Sequence, residues 1–231
     1  SAASDVYKRQ AQTLVILTAG IDLSVGAIMV LSSVVMGNLA VTHGMPAPLA
    51  LFCGLLTGTI CGVVNGFLVA LVRLPPFIVT LGTWFIFEAA NFIYSQNATI
   101  RAQDVEASAP LLQFLGNTFR IGGAVFTYAV VAVVLLVALF YYILNHTAWG
   151  RHVYALGDDP DAARLSGIST RRVLISVYAV AGLICGFAGW ALIGRLGSVS
   201  PTSGYEANIQ SITAVVIGGT SLFGGRGSVI R

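Results

Sequence analysis

The chain has 231 residues, of which 56% are hydrophobic and only 9% are charged, whereas an ordinary soluble domain carries about 25% charged residues. This composition excludes a soluble globular domain, and a net charge of +3 dispersed among apolar runs excludes a nucleic-acid-binding surface. We therefore predict an all-α, polytopic transmembrane helical bundle, because a membrane-spanning helix needs about 20 predominantly apolar residues.

The first ten residues differ from the rest of the chain. They are polar, include the single lysine, Lys8, and lack the apolar segment of a signal peptide. We expect residues 1–10 to be a non-native leader that arose in expression or sequence assembly, and residues 11–231 to form one transmembrane domain that is truncated at both ends. Its apolar runs predict seven helices or half-helices, at 11–21, 24–42, 49–72, 77–95, 124–144, 173–194 and 208–223.

The segment 20–26 interrupts an apolar run that is too long for one span, and it predicts a helix break. It contains Asp22, the only charged side chain between residues 11 and 72. A charge inside the membrane is costly unless it is solvated or paired. Two interpretations follow. In the first, Asp22 belongs to a translocation path or gate. In the second, Asp22 lies at the headgroup level and caps the next helix: Leu23 is the first helical residue, and the Asp22 carboxylate accepts a hydrogen bond from the N–H of Ser24 or Val25.

Glycine and proline mark the next two spans. Four glycines at four-residue spacing, from Gly54 to Gly66, line one helix face and predict close packing against another helix. The pair Pro75 and Pro76 after Arg73 predicts a short turn followed by a new helix.

Polar residues inside the spans allow two roles. Glu88 either faces the pore or pairs with an arginine of another span, such as Arg195. The uncharged polar residues of the spans either hydrogen-bond a hydroxylated solute along a water-filled path or link neighbouring helices. The predicted path residues are Asp22, Ser24, Asn65, Thr80, Thr83, Glu88 and Asn91.

Two connections between the spans are long. The segment 95–123 either docks a partner or is a solvated connector, with a surface helix predicted over 109–115. The segment 145–172 carries seven of the 21 charged residues. In it, Asp158, Asp159 and Pro160 are typical of a helix start, and Gly167 is typical of a helix end. We predict a short helix from Asp161 to Ser166.

Arginine is concentrated in alternate connections, which orients the chain because cytoplasmic loops are enriched in Lys and Arg. The connections predicted to be cytoplasmic contain Arg73, Arg151, Arg164, Arg171, Arg172, Arg226 and Arg231.

The sequence contains no pattern that indicates an enzyme. The three histidines lie in loops, no nucleophile and base have a catalytic spacing, and the glycine-rich segment 218–225 lacks the lysine of a phosphate-binding loop. The three cysteines lie inside apolar spans without metal-ligand spacing and are expected to pack. We expect no cofactor and no metal.

Four segments together resemble one family. Residues 150–168 follow the pattern GRxxxAxGDxPxAARxxGI, and residues 17–26 (LTAGIDLSVG), 74–83 (LPPFIVTLGT) and 214–228 (AVVIGGTSLFGGRGS) accompany it in order. These segments are similar to the ribose-type sugar permeases of ABC transporters. Residues 91–104, 118–122 and 193–201 resemble the fructose permease branch of that family.

The resemblance implies a type II importer-like permease of the bacterial inner membrane that moves a monosaccharide such as fructose or ribose. It implies a separate cytoplasmic ATPase, a periplasmic sugar-binding protein and a second permease subunit, expected to form a homodimer. Segment 145–172 would be the cytoplasmic coupling loop. Its coupling residues would be Gly150, Arg151, Gly157, Asp158, Asp159, Pro160, Ala162, Ala163, Arg164 and Gly167. The alternatives are a permease for branched-chain amino acids or nucleosides and, more remotely, a membrane receptor or scaffold.

Overall fold

The computed structural model describes residues 2–18, 20–121 and 124–203. Within these residues, five helices are long and apolar enough to cross a membrane, which confirms the all-α transmembrane class. The predicted span 208–223 and the motif 214–228 lie outside the described residues. The helices are α1 (Ala2–Leu17), α2 (Val25–Gly37), α3 (Ala47–Ala70), α4 (Pro76–Ser95), α5 (Ala102–Ser108), α6 (Pro110–Gln113), α7 (Tyr128–His146), α8 (Ala148–Asp158), α9 (Pro160–Leu165) and α10 (Thr170–Leu196).

The first helix differs from its predicted bounds at both ends. α1 begins at Ala2, so residues assigned to a leader continue into the first span as one helix, and it ends at Leu17 rather than at residue 21. Tyr7 of this segment is fully buried. The predicted break follows, because the chain is non-helical from Gly20 to Ser24 before α2 begins. The non-native origin of residues 1–10 stays a prediction.

α2 lies at the centre of the bundle and is almost entirely buried between α3, α4 and α10. α3 runs antiparallel to α10 along the predicted glycine face. A Cβ atom at Gly58 would overlap the Gly182 carbonyl, and one at Gly62 would overlap the Tyr178 carbonyl. The four-residue glycine spacing therefore produces the close backbone approach that we predicted.

α4 begins where the prolines predicted it. Pro75 precedes the helix and Pro76 occupies its first turn, while Arg73 makes the turn with a left-handed φ of 62°. The buried face of α4 packs against α2 and includes Thr83 and Phe87. The opposite face, with Phe85 and similar side chains, is exposed as expected for a helix that contacts lipid.

The bundle has two ends, which we name the α9 end and the hairpin end. The α9 end holds α8, α9 and the turn 71–75. The hairpin end holds the segment 96–127, the end of α2 and the residues after α10, where Ile100 and Val199 form an isolated β-bridge. α2, α4 and α10 run from the α9 end to the hairpin end, and α3 and α7 return.

The hairpin end corrects two predictions. Residues Thr118–Ile121 (β1) and Ala124–Thr127 (β2) form an antiparallel hairpin, so the span predicted from residue 124 begins only at Tyr128. Aromatic contact between Phe119 and Phe126, with ring centroids 6.0 Å apart, accompanies the strand pairing. The helix predicted at 109–115 is shorter, because α6 ends at Gln113 and a 3-10 turn follows from Phe114 to Gly116, while Leu112 is buried beneath it.

Candidate coupling and translocation residues

The region predicted as a coupling loop contains α8, a helix that sequence analysis missed. The Thr147 hydroxyl caps it by accepting a hydrogen bond from the Gly150 N–H at 3.2 Å. Leu156 is buried on its inner face, and the Trp149 indole N–H donates to the Ser176 hydroxyl at 2.8 Å. These contacts fix α8 to the bundle and to α10.

Gly150 has a steric role in this junction. A Cβ at this position would overlap the carbonyl of Leu144 in α7, so α7 and α8 meet where only glycine fits. Burial also raises the pKa of the half-buried Tyr154 phenol above its ordinary value.

α9 is capped as the sequence predicted. One Asp159 carboxylate oxygen accepts hydrogen bonds from the N–H groups of Asp161 at 2.9 Å and Ala162 at 3.0 Å. Pro160 occupies the first helical position. Beyond the helix, Gly167 has a φ of 84°, and the Ile168 N–H donates to the Ala163 carbonyl at 3.1 Å. A helix of six residues is thus closed at both ends.

The solvent-facing side of α9 combines charge with one large apolar side chain. Arg164 and Asp161 form an exposed ion pair at 3.3 Å. Leu165 beside them is 86% exposed, the largest value among the exposed large hydrophobic side chains of the described residues. Leu165 was not among the predicted coupling residues. Its signal in the sequence is the one large apolar side chain in the segment 158–167, whose other residues are charged, small or proline.

The predicted coupling residues divide into an exposed and an enclosed group. Ala163 is only 3% exposed, so it packs within this chain and is not a free surface residue. Gly157 is buried inside α8, and its φ is not positive. Gly150 is also buried, whereas Arg151, Asp158, Asp159, Pro160, Ala162, Arg164 and Gly167 are exposed.

A buried polar cluster surrounds the break between α1 and α2. The Ser24 N–H and hydroxyl both donate to one Asp22 carboxylate oxygen, at 2.7 and 2.6 Å. The Asn65 amide of α3 donates to the Ser24 hydroxyl at 2.8 Å, and the Thr80 hydroxyl of α4 accepts from the Leu23 N–H at 3.1 Å. Four of the seven predicted path residues, 22, 24, 65 and 80, therefore meet at one point.

This geometry contains the hydrogen bond that the capping interpretation predicted for Asp22. One detail of that interpretation is wrong, because α2 begins at Val25 and Leu23 is therefore not its first residue. Asp22 is 3% exposed and enclosed by protein, and its location at the headgroup level stays a prediction. A part in translocation stays a prediction.

The remaining predicted path residues lie along α4 and are not part of this cluster. Asn91 is buried and donates to the Pro201 carbonyl at 2.9 Å, and Thr83 is buried with its hydroxyl 3.4 Å from the carbonyl of Thr80. Glu88 is half-buried and makes no hydrogen bond or ion pair within the described part of the chain, so the suggested pairing with Arg195 is not observed there.

Among the described residues, no group of three or more His, Cys, Asp and Glu side chains is placed to hold a metal ion. Cys61 and Cys185 are buried within their helices, where they pack against neighbouring side chains.

Comparisons with known proteins identify related permeases. A family model described as branched-chain amino acid transport system / permease component matches residues 11–229. The chain is 67% identical over 220 residues to the fructose import permease protein FrcC of Rhizobium meliloti, which covers 95% of this chain and 61% of that protein. It is 38% identical over 218 residues to the ribose import permease protein RbsC of Bacillus subtilis, and this alignment covers 94% of this chain and 66% of that protein. The chain thus spans less than two thirds of the length of these relatives. No solved structure matches it.

Proposed function

The chain belongs to the family described as branched-chain amino acid transport system / permease component, and on this basis we propose that it is the permease subunit of a bacterial ABC importer for a monosaccharide. The observation that carries this proposal is the 67% identity to a protein named as a fructose import permease. Fructose, ribose or a similar sugar is the substrate, and the bacterial inner membrane is the location. ATP hydrolysis takes place in a separate subunit.

A second candidate, a permease for branched-chain amino acids, rests on the description of the family. The names of the relatives favour a sugar, because fructose, ribose, galactose and allose permeases are among them. A receptor or scaffold without transport has no such support.

The charge distribution supports a cytoplasmic location for the α9 end. Five arginines lie at this end, whereas three arginines of the described residues, Arg101, Arg120 and Arg195, lie at the hairpin end. An excess of arginine marks the cytoplasmic side of a membrane protein. The arginines of the α9 end are Arg73, Arg151, Arg164, Arg171 and Arg172.

With this orientation, α9 faces the compartment of the ATPase. Its exposed surface fits a docking role, since an apolar anchor rimmed by charged side chains is the usual arrangement at a protein interface. Leu165 is the anchor, and Asp161 and Arg164 are the rim. The sugar-binding protein docks at the opposite, hairpin end, and a second permease subunit completes the pathway.

The fold also suggests how movement of the ATPase reaches the membrane. Coupling requires an element whose contacts differ between two global states. α9 is closed at both ends, α8 precedes it with only Asp159 between the two helices, and Trp149 connects α8 to Ser176 of α10. A displacement of α9 is thereby transmitted to α10, which packs against the central helix α2.

The docking role predicts a specific effect of Leu165 substitutions. Burial of a leucine at an interface contributes about 1.5–3 kcal/mol, so Leu165→Asp should weaken binding of the ATPase subunit by about tenfold or more. Affinity of the purified ATPase for the complete permease in nanodiscs measures this. The matched control compares two alanine variants. Leu139 lies on the exposed, membrane-facing side of α7, where aspartate would add a charge in lipid. Leu139→Ala should therefore leave the affinity unchanged, whereas Leu165→Ala should weaken it. Parent affinity in Leu165→Asp would refute the docking surface.

The substrate is tested separately. Cells that carry the complete transporter, with its ATPase and binding protein, should import labelled fructose or ribose and not isoleucine. Import of isoleucine in preference to both sugars would establish the amino-acid alternative instead.

A further inference from the structure

A cleft of about 530 Å³ opens at the hairpin end, between the last turns of α2 and α4. This volume falls in the range of about 300–1,000 Å³ that is typical of small-molecule sites. We propose that the cleft is a reception site in the permease itself for a neutral monosaccharide, occupied after the binding protein releases the sugar. This inference rests on the proposed function. It places a sugar site at a cleft that contains none of the predicted path residues.

The chemistry of the lining favours a neutral, hydroxylated ligand. Thr42, His43 and Gln96 are exposed at the cleft and offer hydroxyl, imidazole and amide groups, while Ile93 and Val199 provide apolar surface. Among the described lining residues there is no Asp, Glu, Lys or Arg. An amino acid carries two charges that would lie unpaired here, and leaving a desolvated charge unpaired is costly. A sugar presents hydroxyl groups and apolar C–H faces, and it matches this mixture.

Local backbone geometry at the cleft is unusual on both sides. α2 ends in a π-helical turn, Asn38–Thr42, a form that occurs frequently at functional sites. Across the cleft, Gln96 closes α4 with a left-handed φ of 50°, which is uncommon for a non-glycine residue. Such conformations persist where the surrounding structure holds them and are concentrated at ligand sites.

Hydrogen bonds hold the two walls in place. The Asn38 amide donates to the Tyr94 carbonyl at 3.1 Å and joins α2 to α4. His43 Nδ1 lies 3.2 Å from the Asn38 carbonyl oxygen. Because a carbonyl can only accept, Nδ1 is the donor in this contact, which leaves Nε2 to hydrogen-bond a sugar hydroxyl. The polar groups are therefore positioned without a ligand.

The test fills the cleft in the complete transporter. Ala98 lines it and is exposed, so Ala98→Trp adds bulk to the site. Ser108→Trp adds the same side chain on an exposed position of the hairpin end outside the cleft and is the matched control. Proteoliposomes with ATPase and sugar-loaded binding protein allow the fructose imported per ATP hydrolysed to be measured.

We expect this ratio to fall at least about fivefold in Ala98→Trp and to stay within about twofold of the parent in Ser108→Trp. A ratio in Ala98→Trp within about twofold of the parent would overturn the proposal, as would an equal loss in both variants. If the parent imports no sugar at all, the proposed function itself is wrong, and the two failures are thereby distinguished.

A second pair of variants covers the case in which Ala98→Trp does not assemble. Thr42→Val and Gln96→Ala each remove hydrogen-bonding groups at the cleft without adding volume. A sugar bound at the cleft contacts these groups, so the cleft contributes to the choice between sugars. The ratio of fructose to ribose import should therefore change by about threefold or more in each variant. An unchanged ratio in both variants would exclude recognition at this cleft.

Discussion

At the scale of single residues, Asp22 shows how the bundle accommodates a carboxylate among apolar helices. One of its oxygens accepts two hydrogen bonds from Ser24, and Asn65 orients the Ser24 hydroxyl from another helix. A buried polar group is tolerated when its hydrogen bonds are made within the protein. The local sequence predicted the bond to Ser24, whereas the contribution of Asn65, 41 residues later, depends on the packing of α3.

The glycine face of α3 provides a matched pair of substitutions. Gly62→Ala should destabilise the protein by about 1–3 kcal/mol, because its Cβ would overlap the Tyr178 carbonyl and force α3 and α10 apart. Gly82→Ala in α4 has no atom within 4 Å of the new Cβ. That change should be neutral or slightly stabilising, since alanine favours the helix. Thermal unfolding midpoints of the purified proteins measure both, and a Gly62→Ala midpoint equal to that of the parent would contradict the close contact.

At the scale of elements, α9 shows that two local signals define a helix too short to be stable in isolation. Asp159 starts it and Gly167, with its φ of 84°, ends it. The glycine at 157, which lies inside α8, is not a comparable terminator. Ala163 anchors α9 to the bundle, which leaves Leu165 on the opposite side. The orientation of α9 therefore follows from one buried alanine.

Removal of the Asp159 cap should loosen α9 without affecting the membrane helices. Asp159→Ala removes the acceptor for the Asp161 and Ala162 N–H groups, and the loss of such a cap costs about 0.5–2 kcal/mol. Hydrogen exchange of these two amides should accelerate by a corresponding factor, about two- to thirtyfold. Asp159→Asn retains an acceptor and is the control. Equal exchange in Asp159→Ala and the parent would show that the cap does not stabilise α9.

At the scale of the whole molecule, the two ends differ in composition and in build. The α9 end carries short capped helices and five of the nine arginines of the described residues, and the hairpin end carries α5, α6, the β-hairpin and the cleft. The proposed coupling element and the proposed reception site thus lie at opposite ends of the bundle. α2 and α10 extend between them.

This arrangement predicts the accessibility of two serines from outside the cell. Ser108, at the end of α5, and Ser169, between α9 and α10, are both exposed. In a variant without the native cysteines 53, 61 and 185, Ser108→Cys should react with an impermeant thiol reagent applied to intact cells. Ser169→Cys should react only after the membrane is opened, because the arginine excess leads us to propose that the α9 end is cytoplasmic. The reverse pattern would invert the orientation and place α9 away from the ATPase.

Much of the architecture was predictable from local patterns. Apolar runs of sufficient length predicted five described long helices to within a few residues, and prolines, Asp159 and glycines predicted a turn, a helix start and a close contact. These features depend on neighbours in the chain, so the physical signal lies within a few residues. The segments that resemble sugar permeases are likewise short and contiguous.

Other features depend on contacts between residues that are far apart in the chain. The hairpin at 118–127 was missed because its apolar strand 124–127 is continuous with a membrane helix and cannot be distinguished from it by hydropathy. The buried positions of Ala163 and Asp22, the free side chain of Leu165 and the cleft between α2 and α4 follow from how the helices pack. Periodicity gives the apolar face of a helix, but the partner that covers this face is selected by the complete bundle.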